Sequence, residues 1–197
     1  MRALGIGLGL VAAVAAVAAV AASTGIAAAA DSPDPAWQAF RDVAAVLTGP
    51  RCISCHVPDD APLQVDGTRP HAMNVKRGVD GRGTPAQRCR NCHQDTNSEV
   101  AHAPPGTSDW RLPPPSMRMS WVGLDATALC QTLKDPAKNG GRDLAALEEH
   151  VRNDAIVKWG WDPGPGRNPP SISHATFVER FVTWRAAGAP CAPRSQP

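Results

Sequence analysis

Two short cysteine–histidine motifs are the part of this sequence that could do chemistry. Cys52-Ile53-Ser54-Cys55-His56 is one C-x-x-C-H pentapeptide, and Cys89-Arg90-Asn91-Cys92-His93 is a second. This pattern is the attachment signature of c-type haem. Its two cysteine sulfurs form thioethers with the porphyrin, and its histidine binds the iron as the proximal ligand. We therefore predict two covalently bound c-type haems. The attachment residues would be Cys52, Cys55, Cys89 and Cys92, and the proximal iron ligands His56 and His93.

Two other chemistries also use cysteines in C-x-x-C pairs. Two such pairs can hold one zinc ion, but 33 residues separate Cys55 from Cys89, against about 15–20 in ribbon-type zinc sites. A thioredoxin-like redox pair needs a βαβ setting, and the sequence has no convincing strand alternation. A histidine directly follows both pairs, which favours haem over either alternative.

The distal iron ligand decides between electron transfer and chemistry at an open iron. His71 lies in a loop between the two motifs, and His150 lies at the edge of a predicted helix's apolar face. We predict these two as distal ligands, with Met119 as the alternative. Without a metal, His71 would be a solvated loop residue and His150 a helix-surface residue. Met119 would then be a core methionine. A methionine ligand would raise the reduction potential relative to a second histidine. Weaker candidates are His102, His174, Met73 and Met117.

Residues 1–30 read as a secretory signal peptide. They contain 23 apolar residues and a single charge, Arg2, and end in Ala28-Ala29-Ala30, which suits cleavage after Ala30. A retained membrane anchor is the alternative interpretation, because the apolar run is nearly long enough to span a bilayer. Export places the mature chain, residues 31–197, in the periplasm.

An oxidising compartment gives the two remaining cysteines a simple role. Cys130 and Cys191 lie outside both pentapeptides, and in an exported chain we predict that they form a disulfide. This bond would connect a predicted helix to the C-terminal end of the chain. A reactive thiol pair is the alternative.

The composition of the mature chain limits its fold and partners. Of its 167 residues (197 minus 30), 33 are proline or glycine, and only about 37% are hydrophobic, which indicates long loops and a modest core. Nineteen basic and 18 acidic residues give a formal charge of +1, which argues against nucleic-acid binding. A large barrel or doubly wound α/β enzyme is excluded by this length and composition.

Helical patterns occur at both ends of the mature chain and are sparse in its middle. We predict helices starting at Asp34-Pro35 and ending at Gly49-Pro50, over 125–134, over 143–153, and from Ser173 to Gly188. Residues 51–119 contain few regular elements, and a rigid loop covers 160–170. The expected fold is all-α and loop-rich, with three to four helices packed around two covalent haems and a helical C-terminal part over 120–191.

Two further groups of residues suit haem pockets. Six basic residues and one acid lie between Arg69 and Arg90, and they could pair with haem propionates or an acidic partner, or form a solvated basic loop. Five tryptophans are expected as pocket walls: Trp110, Trp121, Trp159, Trp161 and Trp184.

Several strings outside the pentapeptides carry a family resemblance. They are Arg69-Pro70-His71, the segment 75–81, Met119-Ser120-Trp121-Val122-Gly123-Leu124, the segment 134–141, Trp159-Gly160-Trp161 and Gly188-Ala189-Pro190-Cys191. Together they cover roughly 51–191. In these strings the chain resembles small exported di-haem c-type cytochromes named as isoquinoline 1-oxidoreductase subunits. The resemblance implies a molybdenum hydroxylase as electron partner.

The sequence thus predicts a periplasmic electron carrier that exchanges electrons with a redox partner through two haems, with no bond made or broken. A di-haem peroxidase or small-oxidant reductase is the enzymatic alternative. It would need one open iron beside an acid–base group such as Glu148 or Glu149. A gas or redox sensor is disfavoured, because no output domain follows the haem motifs.

Overall fold

Seven helices make up most of the regular structure in residues 34–193, the part of the chain that the structure, a computed structural model, describes. The predicted signal peptide, residues 1–30, lies outside this range. The helices are α1 (Pro35–Leu47), α2 (Pro50–Ile53), α3 (Ala126–Lys134), α4 (Pro136–Asn139), α5 (Leu144–Asn153), α6 (Ala155–Trp159) and α7 (His174–Ala186). This helix-rich architecture with little strand confirms the all-α part of the fold prediction. Within residues 34–193, no helix is both long and apolar enough to cross a membrane.

The four longer helices begin where the sequence places their caps. In each, a side-chain oxygen just before the first turn accepts a backbone N–H that the helix itself leaves unbonded. The Asp125 carboxylate, for example, accepts from Ala128 N at 2.8 Å, and the Asp143 carboxylate from Ala146 N at 2.7 Å. Asp34 and Ser173 cap α1 and α7 in the same way.

Three helices of four or five residues were missed by the sequence patterns. α2, α4 and α6 contain little more than one turn each, which is too short to show a helical repeat of apolar residues. Local signals were nevertheless present. Proline occupies the first position of α2 and α4, and aspartate caps α4 and α6.

The core lies among α1, α3, α5 and α7. The indole of Trp184 packs against Phe40 and Phe181 at ring-centroid distances of 4.5 and 5.3 Å, and all three side chains are fully buried. Burying one such ring stabilises a fold by about 1.5–3 kcal/mol. These helices therefore form a hydrophobic core from protein side chains alone, which is more than the composition suggested. Its apolar residues are concentrated in α1 and α7 rather than spread along the chain.

The middle of the chain is irregular, as predicted. It contains two hairpins of two-residue strands, β1 (Leu63–Gln64) with β2 (Arg69–Pro70), and β3 (Gly83–Thr84) with β4 (Gln87–Arg88).

The buried guanidinium of Arg77 holds these loops together. It donates to the carbonyl oxygens of Pro113, Val57 and Asp59, which belong to distant segments.

A glycine is also required in these loops. Gly81 (φ +77°) passes so close to the Leu112 carbonyl that a Cβ atom would overlap with it.

The disulfide between Cys130 and Cys191 is present, with a Cα–Cα distance of 5.4 Å, which confirms the predicted pairing. It connects α3 to the segment after α7. The Trp184 indole nitrogen donates to the Pro190 carbonyl beside it at 3.0 Å. The C-terminal segment is therefore fixed to the core both covalently and by hydrogen bonding.

Replacing both Cys130 and Cys191 by alanine should destabilise the fold without changing it. The two cysteines are 61 positions apart, and for a closed loop of this size the chain-entropy model gives a loss of about 4 kcal/mol in unfolding free energy. Urea unfolding followed by circular dichroism measures the loss, and the reduced unmodified protein should unfold at the same denaturant concentration as the variant. Equal stability of the oxidised protein and the variant would show that the bond contributes nothing.

Candidate functional site

The two C-x-x-C-H pentapeptides adopt the same backbone turn in different parts of the chain. In the first, the amide of His56 donates to the Cys52 carbonyl at 3.0 Å. In the second, the amide of His93 donates to the Cys89 carbonyl at 2.9 Å. The amide of the second cysteine also bonds that first carbonyl in both motifs, at 3.1 Å. Each turn thus brings two thiols and an imidazole onto one short stretch of backbone.

Three contacts from one downstream segment fix His56. Its Nδ1 lies 2.9 Å from the Met119 carbonyl oxygen, and its ring stacks on the Trp121 indole with centroids 3.5 Å apart. The Trp121 amide also donates to the His56 carbonyl at 3.1 Å. Met119 has a left-handed backbone (φ +47°), which is strained for a non-glycine residue. The chain therefore accepts local strain where it holds this ring.

His93 is fixed in a similar way by a different segment. Its Nδ1 lies 2.7 Å from the Pro105 carbonyl oxygen, and its ring stacks on Trp110 with centroids 4.3 Å apart. Trp159 packs edge-on against Trp110 at 4.8 Å, and its indole nitrogen donates to Asn97. Each pentapeptide histidine therefore has a carbonyl on Nδ1 and an indole against its ring.

A carbonyl oxygen can only accept a hydrogen bond, so Nδ1 carries the proton in His56 and His93 and Nε2 keeps its lone pair. Burial lowers the pKa of His56 to about 3 and that of His93 to about 4. Both imidazoles are therefore neutral at physiological pH, and each has one nitrogen able to bind a metal.

The cysteines of the two pentapeptides differ in exposure. Burial raises the pKa of Cys52 to about 12 and that of Cys55 to about 11, and it also raises the pKa of Cys89. Cys92, in contrast, is exposed. All four are unpaired in the described part of the chain. Two sulfurs at each pentapeptide are thus free to form thioethers.

The structure brings a second histidine to the second pentapeptide. The rings of His71 and His93 have centroids 6.1 Å apart, although 21 residues separate them in the chain. Two imidazoles on opposite sides of one metal, each bonded at about 2 Å, would have centroids about 6 Å apart. The predicted distal residue His71 is therefore placed at a distance that suits a shared metal ion.

Both distal candidates for the first pentapeptide, His150 and Met119, lie at one narrow cavity beside His56. Arg142 and Trp121 also contribute to its wall, and its other lining residues are Leu47, Leu133, Leu147, Val151 and Phe181. The cavity is therefore almost entirely apolar apart from two histidines, one methionine and one arginine. An apolar surround with histidine or methionine facing inward is the chemistry of a haem pocket.

The contact on Nδ1 separates His71 and His150 from the weaker histidine candidates. His71 Nδ1 lies 3.0 Å from the Ala72 carbonyl oxygen, and His150 Nδ1 lies 3.3 Å from the Asp154 carboxylate. In both, Nε2 is left for another partner. Burial opposes ionisation of Asp154, but the His150 contact and the Arg111 charge outweigh burial and hold the pKa of Asp154 below its ordinary value.

The remaining candidates lie elsewhere. His174 uses Nε2 to bond the Val151 carbonyl at 2.8 Å, and the ring of His102 packs against Gly166. Met73 is 67% exposed, and the Met117 sulfur packs beside Gly140. These four residues have structural surroundings that account for them.

Buried polar atoms without a hydrogen-bond partner test whether the first site fits a haem. In residues 34–193 there are three, Trp121 Nε1, Arg77 Nε and Arg180 Nε, and the first two lie at or beside the His56 site. Buried donors are nearly always bonded, and a haem contributes carboxylate acceptors through its propionates. Trp121 belongs to the His56 site itself, and Arg77 donates to Val57, the residue after His56. The donor types and these two orphans suit a haem, which would have to widen the cavity of about 20 Å³ beside His56.

The described residues contain no group of three or more His, Cys, Asp or Glu that could hold a metal ion. The two cysteine pairs therefore do not form a four-ligand zinc cluster in this structure. A haem iron takes only two ligands from the protein, because the porphyrin supplies the other four, so the same observation does not bear on haem.

The basic segment between Arg69 and Arg90 is more internally paired than its composition suggests. Arg88 forms an ion pair with Asp80 at 2.8 Å, Arg82 pairs with Asp109, and Arg77 bonds only backbone carbonyls. Trp184 belongs to the buried helical core, and Trp161 packs against it. The tryptophans at the two sites are Trp110, Trp121 and Trp159.

Asp154 and Arg77 are the residues of these sites that the sequence did not single out. The one signal for Asp154 was its spacing, because it stands four residues after His150 on the same helix end. Arg77 resembled any other basic loop residue, and only its burial reveals its role.

Comparison with family models, curated proteins and solved structures finds no match to this chain. The assignment of its function therefore rests on the two sites described above.

Proposed function

We propose that this protein is an exported di-haem c-type cytochrome that carries electrons to and from a partner oxidoreductase. The observation that carries the proposal is the arrangement repeated at both C-x-x-C-H motifs. Each motif has two unpaired cysteines, a histidine whose Nδ1 faces a backbone carbonyl, and a second histidine nearby. Such a set supplies both thioethers and both axial ligands of a closed haem.

The ligands divide between two haems as follows. Cys52, Cys55 and His56 hold the first haem, with His150 as its distal ligand. Cys89, Cys92 and His93 hold the second haem, with His71 as its distal ligand. His150 is preferred to Met119 because the Asp154 carboxylate faces its Nδ1, which leaves Nε2 for a metal.

When bound, haem supplies a one-electron couple between ferric and ferrous iron. The task of the chain is to keep the iron surroundings alike in both states. Carbonyl and carboxylate acceptors fix the four imidazole orientations, and the stacked indoles of Trp121 and Trp110 restrict the two pentapeptide rings. Little has to rearrange when an electron arrives or leaves.

The two sites differ in their access to solvent, which suggests the route by which electrons pass. The cysteines and histidine of the first pentapeptide are all partly buried, whereas the second pentapeptide includes the exposed Cys92. Its distal His71 lies in the loop that also carries the exposed Met73. Exchange with a partner would therefore occur at the second haem, and the first haem would receive the electron internally. The family resemblance favours a molybdenum hydroxylase as this partner and the periplasm as the location.

Haem content gives the most direct test. The chain expressed with its export signal and a haem-attachment system should carry two haems, measured by the pyridine haemochrome spectrum against protein concentration. C52A/C55A and C89A/C92A should each carry one. The matched control C130A/C191A removes the same number of cysteines and should keep both. A chain without covalent haem would refute the proposal.

Carbon monoxide distinguishes closed from open irons. We expect the dithionite-reduced protein to be unaffected by the gas. H71A and H150A should each become reactive in about half of the haem signal, because each loses one axial ligand. H174Q is the matched control and should stay closed, because His174 bonds a backbone carbonyl instead of facing a site.

Other outcomes have definite meanings. Reaction of the unmodified protein in about half of its haem would contradict a pure carrier and favour the peroxidase or reductase alternative. A closed H150A with an open M119L would assign Met119 as the distal ligand of the first haem.

A further inference from the structure

Among the four histidines that present Nε2 to a site, His150 has a different partner on Nδ1. His56, His93 and His71 face backbone carbonyls, whereas His150 faces the carboxylate of Asp154. At equal distance a charged acceptor bonds more strongly than a neutral one, but the His150–Asp154 contact of 3.3 Å is longer than the three carbonyl contacts of 2.7–3.0 Å. A charged acceptor also makes the imidazole a more electron-rich metal ligand. The first haem site therefore has a charged side chain behind its distal histidine, and the second does not.

The two oxygens of Asp154 have separate roles. Oδ1 accepts from the Ile156 amide at 3.0 Å and caps α6. Oδ2 is shared, because Arg111 Nη2 lies 2.6 Å from it and His150 Nδ1 lies 3.3 Å from it. The side chain of Asp154 is only 17% exposed, so solvent screens these contacts weakly. Arg111 has the shorter contact and thus competes with His150 for the same oxygen.

Arg111 also belongs to the surroundings of the second site. It directly follows Trp110, whose indole stacks on His93. Its Nη1 donates to the Asp109 carboxylate at 2.8 Å, and Asp109 in turn pairs with Arg82. The Arg82 carbonyl accepts from the Cys89 amide at 3.0 Å. A continuous chain of polar contacts therefore extends from the second pentapeptide to the distal histidine of the first site.

We propose that Asp154 is a positioning residue that holds His150 toward the first haem and lowers that haem's reduction potential, and that Arg111 limits this effect by competing for Oδ2. The inference rests on the proposed function, because it requires a haem at the first site. The two haems would have the same kinds of ligand. The inference names the side chains that would give them different reduction potentials.

The expected signs follow from charge. Ferric haem carries one more positive charge than ferrous haem, so a nearby carboxylate favours the ferric state and lowers the potential. Removing the Asp154 charge should therefore raise the potential of the first haem. Removing Arg111 should lower it, because a cation is lost and Oδ2 becomes fully available to His150. Two substitutions in one ion pair should thus act in opposite directions.

The test is a spectroelectrochemical titration of the two-haem protein and of the variants D154N and R111Q. Asparagine keeps the helix cap through its side-chain oxygen. D143N is the matched control, because Asp143 caps α5 by a 2.7 Å bond to Ala146 N and contacts no site histidine. We expect D154N to raise one of the two potentials, R111Q to lower the same one, and D143N to change neither.

The H71A background identifies the haem that shifts. With the second haem opened by that substitution, the haem that remains low-spin is the first one, and its potential should respond to D154N. Adding R111Q to D154N should change the potential less than R111Q does alone. In the D154N background no carboxylate remains for Arg111 and His150 to share. A purely structural disturbance would not produce opposite signs or this coupling.

The outcomes separate this inference from the proposed function. An unmodified protein that lacks haem refutes the proposed function, and the inference falls with it. A two-haem protein in which D154N and R111Q shift the potential in the same direction, act on both haems equally, or have no effect refutes the inference alone. If D154N loses the first haem, R111Q decides, because it leaves Asp154 and the α6 cap in place.

Discussion

The bond on which the candidate sites depend is the one made by imidazole Nδ1. A neutral imidazole binds a metal only through the ring nitrogen that carries no proton. The hydrogen bond made by the other ring nitrogen decides which of the two carries it. At His56 and His93, backbone carbonyls accept from Nδ1 and so fix the proton on that nitrogen. A backbone carbonyl neither titrates nor changes with side-chain identity. The loop backbone, rather than any catalytic side chain, is therefore the part of this protein that has to be built accurately. The strained left-handed residue at Met119 and the close approach of Gly81 to Leu112 both occur in these loops.

Holding loops accurately is difficult for a chain with so little regular structure in its middle. Two devices do it. The helices α1, α3, α5 and α7 pack their apolar side chains into one core, and His150 lies on one of these helices, α5. The buried Arg77 then gathers three loop carbonyls at one guanidinium. A planar group with five donors can satisfy several acceptors in fixed directions, which a lysine could not do.

Much of this could be read from the sequence, and the rest could not for physical reasons. The four longer helices, their aspartate and serine caps and the disulfide all follow from local patterns and cysteine count. His71 was predicted as a distal ligand, but the sequence did not say which pentapeptide it would approach, because nothing in a loop sequence gives distances. The roles of Arg77 and Asp154 depend on burial and on partners tens of residues away, such as Pro113 and Arg111. All five tryptophans were expected as pocket walls, since one tryptophan in a sequence looks like another, and only the structure shows which of them stack at the pentapeptide histidines.

The contrast among the six cysteines has a consequence for how the protein matures. If the chain is exported and carries haem as proposed, Cys130 and Cys191 must be oxidised while the other four cysteines stay reduced until haem is attached. Thiol–disulfide exchange requires a thiolate. Burial raises the pKa of Cys52, Cys55 and Cys89, so the folded chain itself protects these three from forming wrong bridges. Cys92 is exposed, so an oxidant can reach its sulfur directly. Under the proposed function, the second pentapeptide is therefore the place where the order of folding and haem attachment would matter most.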